Sequence, residues 1–217
     1  MDVSVPRPLR LISHPALWTV FLAAIVTFPL ARNALRPPGP PLPVLGTVPA
    51  FSFVDQNGAA FGPQTLAGKP WVADFVFTRC PTICPRMTER LAALQPRLGH
   101  RVHLVSLSVD PAFDTPERLR AFAAAHGATS TRWHFLTGDT ASVQRAVTDG
   151  FKITLAREGP EDDFLSIVHG VHVVLVDGEG QIRGYYDSTD PEALDRLVED
   201  AARLGGSSPP GHPDPGG

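Results

Sequence analysis

The side chains of this chain best suited to chemistry are two cysteines, Cys80 and Cys84, inside the run Thr78 to Thr88, TRCPTICPRMT. They are the only cysteines in 217 residues. A small domain held together by disulfides needs several bridges, so that class is excluded. Two sulfurs four positions apart on a loop that enters a helix converge on one point, where the helix dipole and free N–H groups favour thiolate. The usual redox spacing, C-x-x-C, has two intervening residues. The third one here widens the bite and leaves room for an ion between the sulfurs, and thiolates select copper(I) or zinc. The competing reading, a pair of inert buried cysteines, fits poorly with a loop bracketed by Pro81 and Pro85.

Two ligands seldom complete a metal site, so the eight histidines matter. His14 lies in an apolar N-terminal segment, His212 in a proline-rich tail and His100 beyond the helix that follows the cysteines. His126 stands ahead of Gly127, where a histidine suits a helix C-terminus. His103 and His134 flank strand-like runs and read as packing residues. His169 opens an apolar strand, HGVHVVLV, and is the best candidate for a third ligand. His172, three residues on, turns to the opposite face of that strand, so the two do not readily serve one ion. From the residues alone, ligand and packing roles for His169 both stay open.

The elements that must position these groups follow from periodicity. Trp71 to Thr78, WVADFVFT, is fit for a central strand and delivers the chain to Cys80. Met87, Leu91, Leu94 and Leu98 fall at helical spacing over Pro85 to Leu98. Further strands are expected at Phe51 to Val54, Val102 to Val109, His169 to Val176 and Gln181 to Tyr186. Helices are expected over Pro116 to His126, Val143 to Phe151 and Pro191 to Leu204. Turns are read at Asp55 to Gly58 and Asp177 to Gly180. A strand, helix, strand order followed by a hairpin and a helix matches an α/β fold, a thioredoxin-like sandwich with a central mixed sheet flanked by helices.

The ends differ in composition from the middle. Leu11 to Ala31 is mostly apolar and near the roughly 20 residues that cross a hydrocarbon core, so residues 11–31 read as an uncleaved transmembrane anchor. Residues 1–10 form a short N-terminus, residues 32–43 a stiff linker containing PPGPPLP, residues 44–204 the folded domain and residues 205–217 a tail with little to bury. Arg7 and Arg10 on one side of the apolar segment balance Arg32 and Arg36 on the other, so charge does not set its orientation. Nineteen basic against 22 acidic residues provide no cationic field for nucleic acid.

Four motifs together carry a resemblance. PVLGTVPAFSFVDQNG from Pro43, F-x-F-T-x-C-P-x-x-C-P from Phe75, SVDPAFDTP at Ser108 to Pro116, and an isolated histidine before VHVVLVDGEG resemble the Sco/SenC family over roughly Pro43 to Leu204. That resemblance implies a membrane-anchored copper chaperone that assists assembly of the binuclear copper site of cytochrome c oxidase. It further implies that one copper, Cu(I) or Cu(II), is held by Cys80, Cys84 and His169. Its partners would be the copper-bearing oxidase subunit or another periplasmic copper chaperone. The domain would lie on the periplasmic side of a bacterial inner membrane, with the N-terminus cytoplasmic. Many relatives carry an acidic residue before the histidine, where this chain has Val168. Asp110 and Asp114 match an acidic loop of the family, and a turn with a helix cap ahead of Pro116 explains them equally well.

Other classes compete less well. A thiol peroxidase needs a hydroxyl three residues before its nucleophile, and Phe77 stands there. A thiol-disulfide oxidoreductase of this fold usually carries a cis-proline where this chain has His169-Gly170-Val171. That oxidoreductase and a copper or redox sensor remain the alternatives to a non-enzymatic chaperone. Gly62 to Lys69 imitates a phosphate loop, but Pro70 replaces the hydroxyl residue that binds magnesium.

Overall fold

The computed structural model describes residues 18–19, 21, 23–25, 27–28, 40–153, 156–157, 167–168 and 171–206. The chain divides into two compact units, Met1–Pro41 and Leu42–Gly217. In the first, residues 18–19, 21, 23–25 and 27–28 are helical, and the large apolar side chains Trp18, Phe21, Ile25 and Phe28 are exposed. Among the described residues no helix is long and apolar enough to cross a membrane.

The second unit is built on a mixed sheet of eight strands: β1 (Gly46–Thr47), β2 (Phe53–Asp55), β3 (Ala60–Phe61), β4 (Trp71–Val76), β5 (His103–Ser108), β6 (Trp133–Thr137), β9 (His172–Val176) and β10 (Gln181–Asp187). Their order is β1-β10-β9-β4-β5-β6-β2-β3, and β7 (Ala156–Arg157) and β8 (Ile167–Val168) form a separate pair. The strands β4, β5 and β6 run parallel, and the other pairings are antiparallel. Every residue of β4 is buried, as an apolar run covered on both faces requires.

Among the described residues four α-helices complete the unit: α1 (Ile83–Leu94), α2 (Pro116–Ala125), α3 (Thr140–Arg145), which runs into a π turn over Ala146–Gly150, and α4 (Pro191–Gly205). Trp71 and Phe75 of β4 meet the ring of Phe151, just past the π turn, edge to face at 5.9 and 5.2 Å. The alternate positions Val72, Asp74 and Val76 therefore face the other side. That side carries α2, whose Phe122 packs on Phe135 of β6, and α1, which lies beside α2 through the pair His126–Glu89.

Several expected boundaries move. The helix after the cysteines begins at Ile83 and ends at Leu94; Gln95 still has helical backbone as its cap, and Pro96, which has no N–H, cannot continue the hydrogen-bond ladder. Leu98 still reaches the core from the following turn, at 1% exposure. The helix expected from Val143 starts at Thr140, where Asp139 accepts the amides of Ala141 and Ser142. The closing helix runs to Gly205 and is capped by Gly206 at φ 64°. The hairpin turn after β2 forms as expected, with the amide of Asp55 donating to the carbonyl of Ala59. The phosphate-loop imitation is a single 3-10 turn, Pro63–Leu66.

Candidate functional site

The cysteines sit where the parallel strand β4 ends and α1 begins. The amide of Cys80 donates to the carbonyl of Phe77 at 3.1 Å, which curls the chain back after the strand. Thr82 precedes the helix without a side-chain cap. The sulfur of Cys80 serves in its place, accepting the N–H of Cys84 at 3.3 Å. That amide belongs to the first turn, where N–H groups lack helical partners and favour negative charge on whatever accepts them.

The two sulfurs are unequal. Both cysteines are buried, Cys80 at 6% exposure and Cys84 at 0%, and they are not joined in a disulfide. The hydrogen bond with Cys80 and then burial push the Cys84 thiol up, so its proton is firmly held. Pro81, Thr82 and Ile83 are exposed over the pair. Cys80 is thus the sulfur an incoming group reaches first, and Cys84 the one that follows.

A second loop clamps the first. Asp114 accepts the amide of Thr78 at 3.1 Å, the hydroxyl of Thr78, and the hydroxyl of Ser108 at 2.6 Å. Asp110 accepts Nε of Arg79 at 2.7 Å, and the guanidinium groups of Arg79 and Arg118 lie over the ring of Phe113 at 4.6 and 3.9 Å. Burial raises the Asp114 carboxyl above its ordinary range, against the hydrogen bonds from Ser108 and Thr78. The turn assigned to Asp110 is present, since its carbonyl accepts the amides of Phe113 and Asp114. The cap ahead of Pro116 is Thr115, whose side chain accepts the amide of Arg118, which leaves Asp114 to hold the residues just before Cys80.

The histidines separate as follows. His103 and His134 stack at 5.9 Å near the start of β5, the end of the sheet opposite the cysteines, so their packing role stands. Burial, followed by the charge of Lys69, lowers His103 to about 4. His126 closes α2 and bonds Glu89 at 3.1 Å, and His172 is exposed at the start of β9. His169, the candidate third ligand, lies outside the described residues, as do His14 and His212. Among the described residues no cluster of three His, Cys, Asp or Glu forms.

Sequence reasoning passed over Asp74, at 0% exposure in the middle of β4. Its Oδ1 accepts the hydroxyl of Ser106 at 2.6 Å, and the oxygen of that hydroxyl accepts Nε1 of Trp133 at 2.9 Å. Its other oxygen, Oδ2, has no hydrogen-bond partner. A carboxylate inside the otherwise apolar run WVADFVF was the available signal.

Comparison with known proteins gives one family. The SCO1/SenC model matches residues 44–204. The SCO1 protein homolog of Bacillus subtilis is 33% identical over 157 residues, 70% of this chain and 80% of that protein. A putative copper-binding protein of Stutzerimonas stutzeri is 32% identical over 188 residues, 82% of this chain and 89% of that protein. Among solved structures, BsSco, described as a Sco-family cytochrome c oxidase assembly protein with a disulfide switch, superposes with a TM-score of 0.67 at 31% identity, covering 76% of this chain and 97% of its own.

Proposed function

The chain belongs to the SCO1/SenC family, and from that premise we propose that it is a membrane-anchored copper metallochaperone that assists assembly of the binuclear copper site of cytochrome c oxidase. The observation that carries this reading is the sulfur pair at the start of α1, with the Cys84 amide aimed at Cys80 Sγ. Two thiols side by side in a nearly dry site suit a soft monovalent cation, and copper(I) is the one such donors select. In this reading Cys80, Cys84 and His169 hold one copper ion as cargo. The exposed loop over the sulfurs admits an incoming thiolate, so the ion passes by ligand exchange and is never free.

The recipient is then the copper-bearing subunit of the oxidase or another periplasmic copper chaperone. Residues 11–31 anchor the chain in a bacterial inner membrane with the domain on the periplasmic side. Val168, in place of the acidic residue many relatives carry, removes a group that would orient the imidazole and raise its basicity, which shifts affinity or the balance of Cu(I) and Cu(II). A second reading, thiol-disulfide exchange with a partner, is favoured by the same two unbridged sulfurs.

The test is an anaerobic copper titration of the full chain in detergent against a competing chelator, with Cys80→Ser, Cys84→Ser and His169→Ala alongside. One tight equivalent is expected. Each substitution should weaken it by more than the roughly tenfold that loss of an outer partner costs. Weak binding by the unaltered chain, or a His169→Ala variant that titrates identically, would defeat the three-ligand site.

A further inference from the structure

Beyond Leu45, Ile83 is the one large apolar side chain that stands exposed among the described residues, at 41%. It lies between the two cysteines, with Pro81 and Thr82 also exposed, so whatever approaches the sulfurs meets it. The exposed charges around it are mostly of one sign. Arg79 directly precedes Cys80, and its side chain is 34% exposed. Arg86 is exposed one helical turn beyond Ile83, on the same side of α1. Arg118, exposed at the start of α2, shares the ring of Phe113 with Arg79, the two guanidinium groups lying 3.9 and 4.6 Å from its centre.

Most acids of these segments are already engaged. Asp110 is buried against Arg79, Asp114 is buried and accepts from Thr78 and Ser108, and Glu89 bonds His126. Glu117 is the exposed acid that remains, with Arg118 and Arg120 beside it in α2. Among the described residues Arg86 and Arg118 join no ion pair. Arg86 also stands where its own helix gains nothing from it. The first turn of a helix favours negative charge, and α2 and α4 place Glu117 and Glu192 there. The first turn of α1 has no acid, and Arg86 stands next to it. In a chain of net charge −3, cations gathered about the sulfur pair answer to something outside the fold.

We propose that Arg79, Arg86 and Arg118 form a docking rim around Ile83 that selects a protein partner carrying acidic side chains beside the group that meets the sulfurs. An apolar centre with a polar rim is the anatomy of a protein interface, and rim charges govern encounter rate and choice of partner more than final affinity. Lipid surfaces are read by clusters of about four to eight basic residues, and this rim has three. The inference rests on the reading of the dithiol as the place where a partner exchanges copper or electrons, and it adds the chemistry of that partner's face.

The experiment follows thiol exchange on the copper-free full chain in uncharged detergent. Three capped peptides share one pyridyl-activated cysteine and differ only in the residues that flank it, Glu, Gln or Lys. Attack by Cys80 joins the chain to the peptide and releases thiopyridone, which is read by absorbance. The Gln peptide is the reference for every variant, because it cancels changes in the reactivity of the sulfur itself. At about 20 mM salt the Glu peptide should react about tenfold faster than the Lys peptide, and at about 1 M salt the two should converge. Arg86→Gln combined with Arg118→Gln should cut the low-salt ratio to about threefold or less, and Arg86→Gln alone decides if the pair does not fold. The corresponding lysine variants should keep the ratio, which separates charge from packing. Arg97→Gln, which breaks only the exposed pair with Asp195, should leave it unchanged. A ratio near one in the unaltered chain, or one indifferent to salt or to the glutamine variants, overturns the proposal. So does a Gln-peptide rate that falls when the chain is moved from phosphatidylcholine to phosphatidylglycerol vesicles, which would give the rim to the lipid. A failed copper titration beside a sustained ratio would remove the chaperone reading alone. A ratio of one beside a successful titration would remove this inference alone.

Discussion

Asp74 and Asp114 are buried carboxyls in opposite circumstances. Asp114 is surrounded by donors from Thr78 and Ser108, whereas Asp74 has one. Burial leaves Asp74 near 7, against an ordinary 3.8, so the folded chain keeps a proton that the unfolded chain gives up. Below about 3.8 both states hold it and pH has no effect through this residue. Between about 3.8 and about 7 the unfolded state loses its proton and stability falls, by at most about 4 kcal/mol, then levels off. Asp74→Asn should therefore stabilise the fold more at pH 8 than at pH 4.5 in urea unfolding. Equal effects at the two pH values would mean that Asp74 is already ionised in the fold. For Asp114→Ala the loss is of an acceptor. Three donors are left without it, at about 1–3 kcal/mol for each that stays buried, and Cys80 should alkylate faster as its loop loosens. Thr115→Ala removes only a helix cap, about 1 kcal/mol, and should leave alkylation unchanged. If both variants alkylate alike, the Asp114 clamp does not hold the cysteine loop.

At the scale of elements, legibility followed burial. The strand β4, apolar apart from Asp74, and the helix face Met87, Leu91, Leu94 were plain in the sequence because each shows its own period. The start of α1 was not, since its cap is a sulfur two residues before Thr82 and no propensity rule includes one. The edge strands β1 and β3 have two residues each and owe their existence to partners across the sheet, which no local pattern records. The clamp of Asp114 on Thr78 joins loops 36 residues apart, and the motif SVDPAFDTP alone gave its members but not its target. The turn between β9 and β10 is a firmer case. A Cβ on Gly178 would stand 2.7 Å from the carbonyl carbon of Gly68, and the amide of Gly68 donates to the Gly178 carbonyl at 2.8 Å. Neither backbone can yield cheaply, so Gly178→Ala should lower stability by about 1–3 kcal/mol. At Gly58, where φ is +80° and no atom lies within 4 Å, alanine should cost about 1 kcal/mol for conformation alone. A thermal melt that ranks the two the other way would show that the Gly68–Gly178 approach is loose.

The whole molecule joins two units of different composition. Among the described residues, every buried core residue lies in Leu42–Gly217, beginning at Val48, and that unit's own sheet and helices surround it. A chain of residues 42–217 should then unfold at the same urea midpoint as the full chain. The described residues of Met1–Pro41 contribute no core residue, and by sequence Leu11 to Ala31 has the length and apolar character to span a bilayer. The full chain should resist alkaline carbonate extraction from bacterial membranes, and residues 42–217 should be released. Because arginines flank the apolar run on both sides, its charge leaves orientation undetermined. On the proposed function, copper transfer to an oxidase subunit would set the direction, since the domain must share a compartment with the site it loads. Protease added to spheroplasts should accordingly digest the Leu42–Gly217 unit of the anchored chain while a cytoplasmic marker survives. Protection of that unit until the membrane is broken would place the cysteines in the cytoplasm and remove the oxidase-assembly reading, even with copper binding intact.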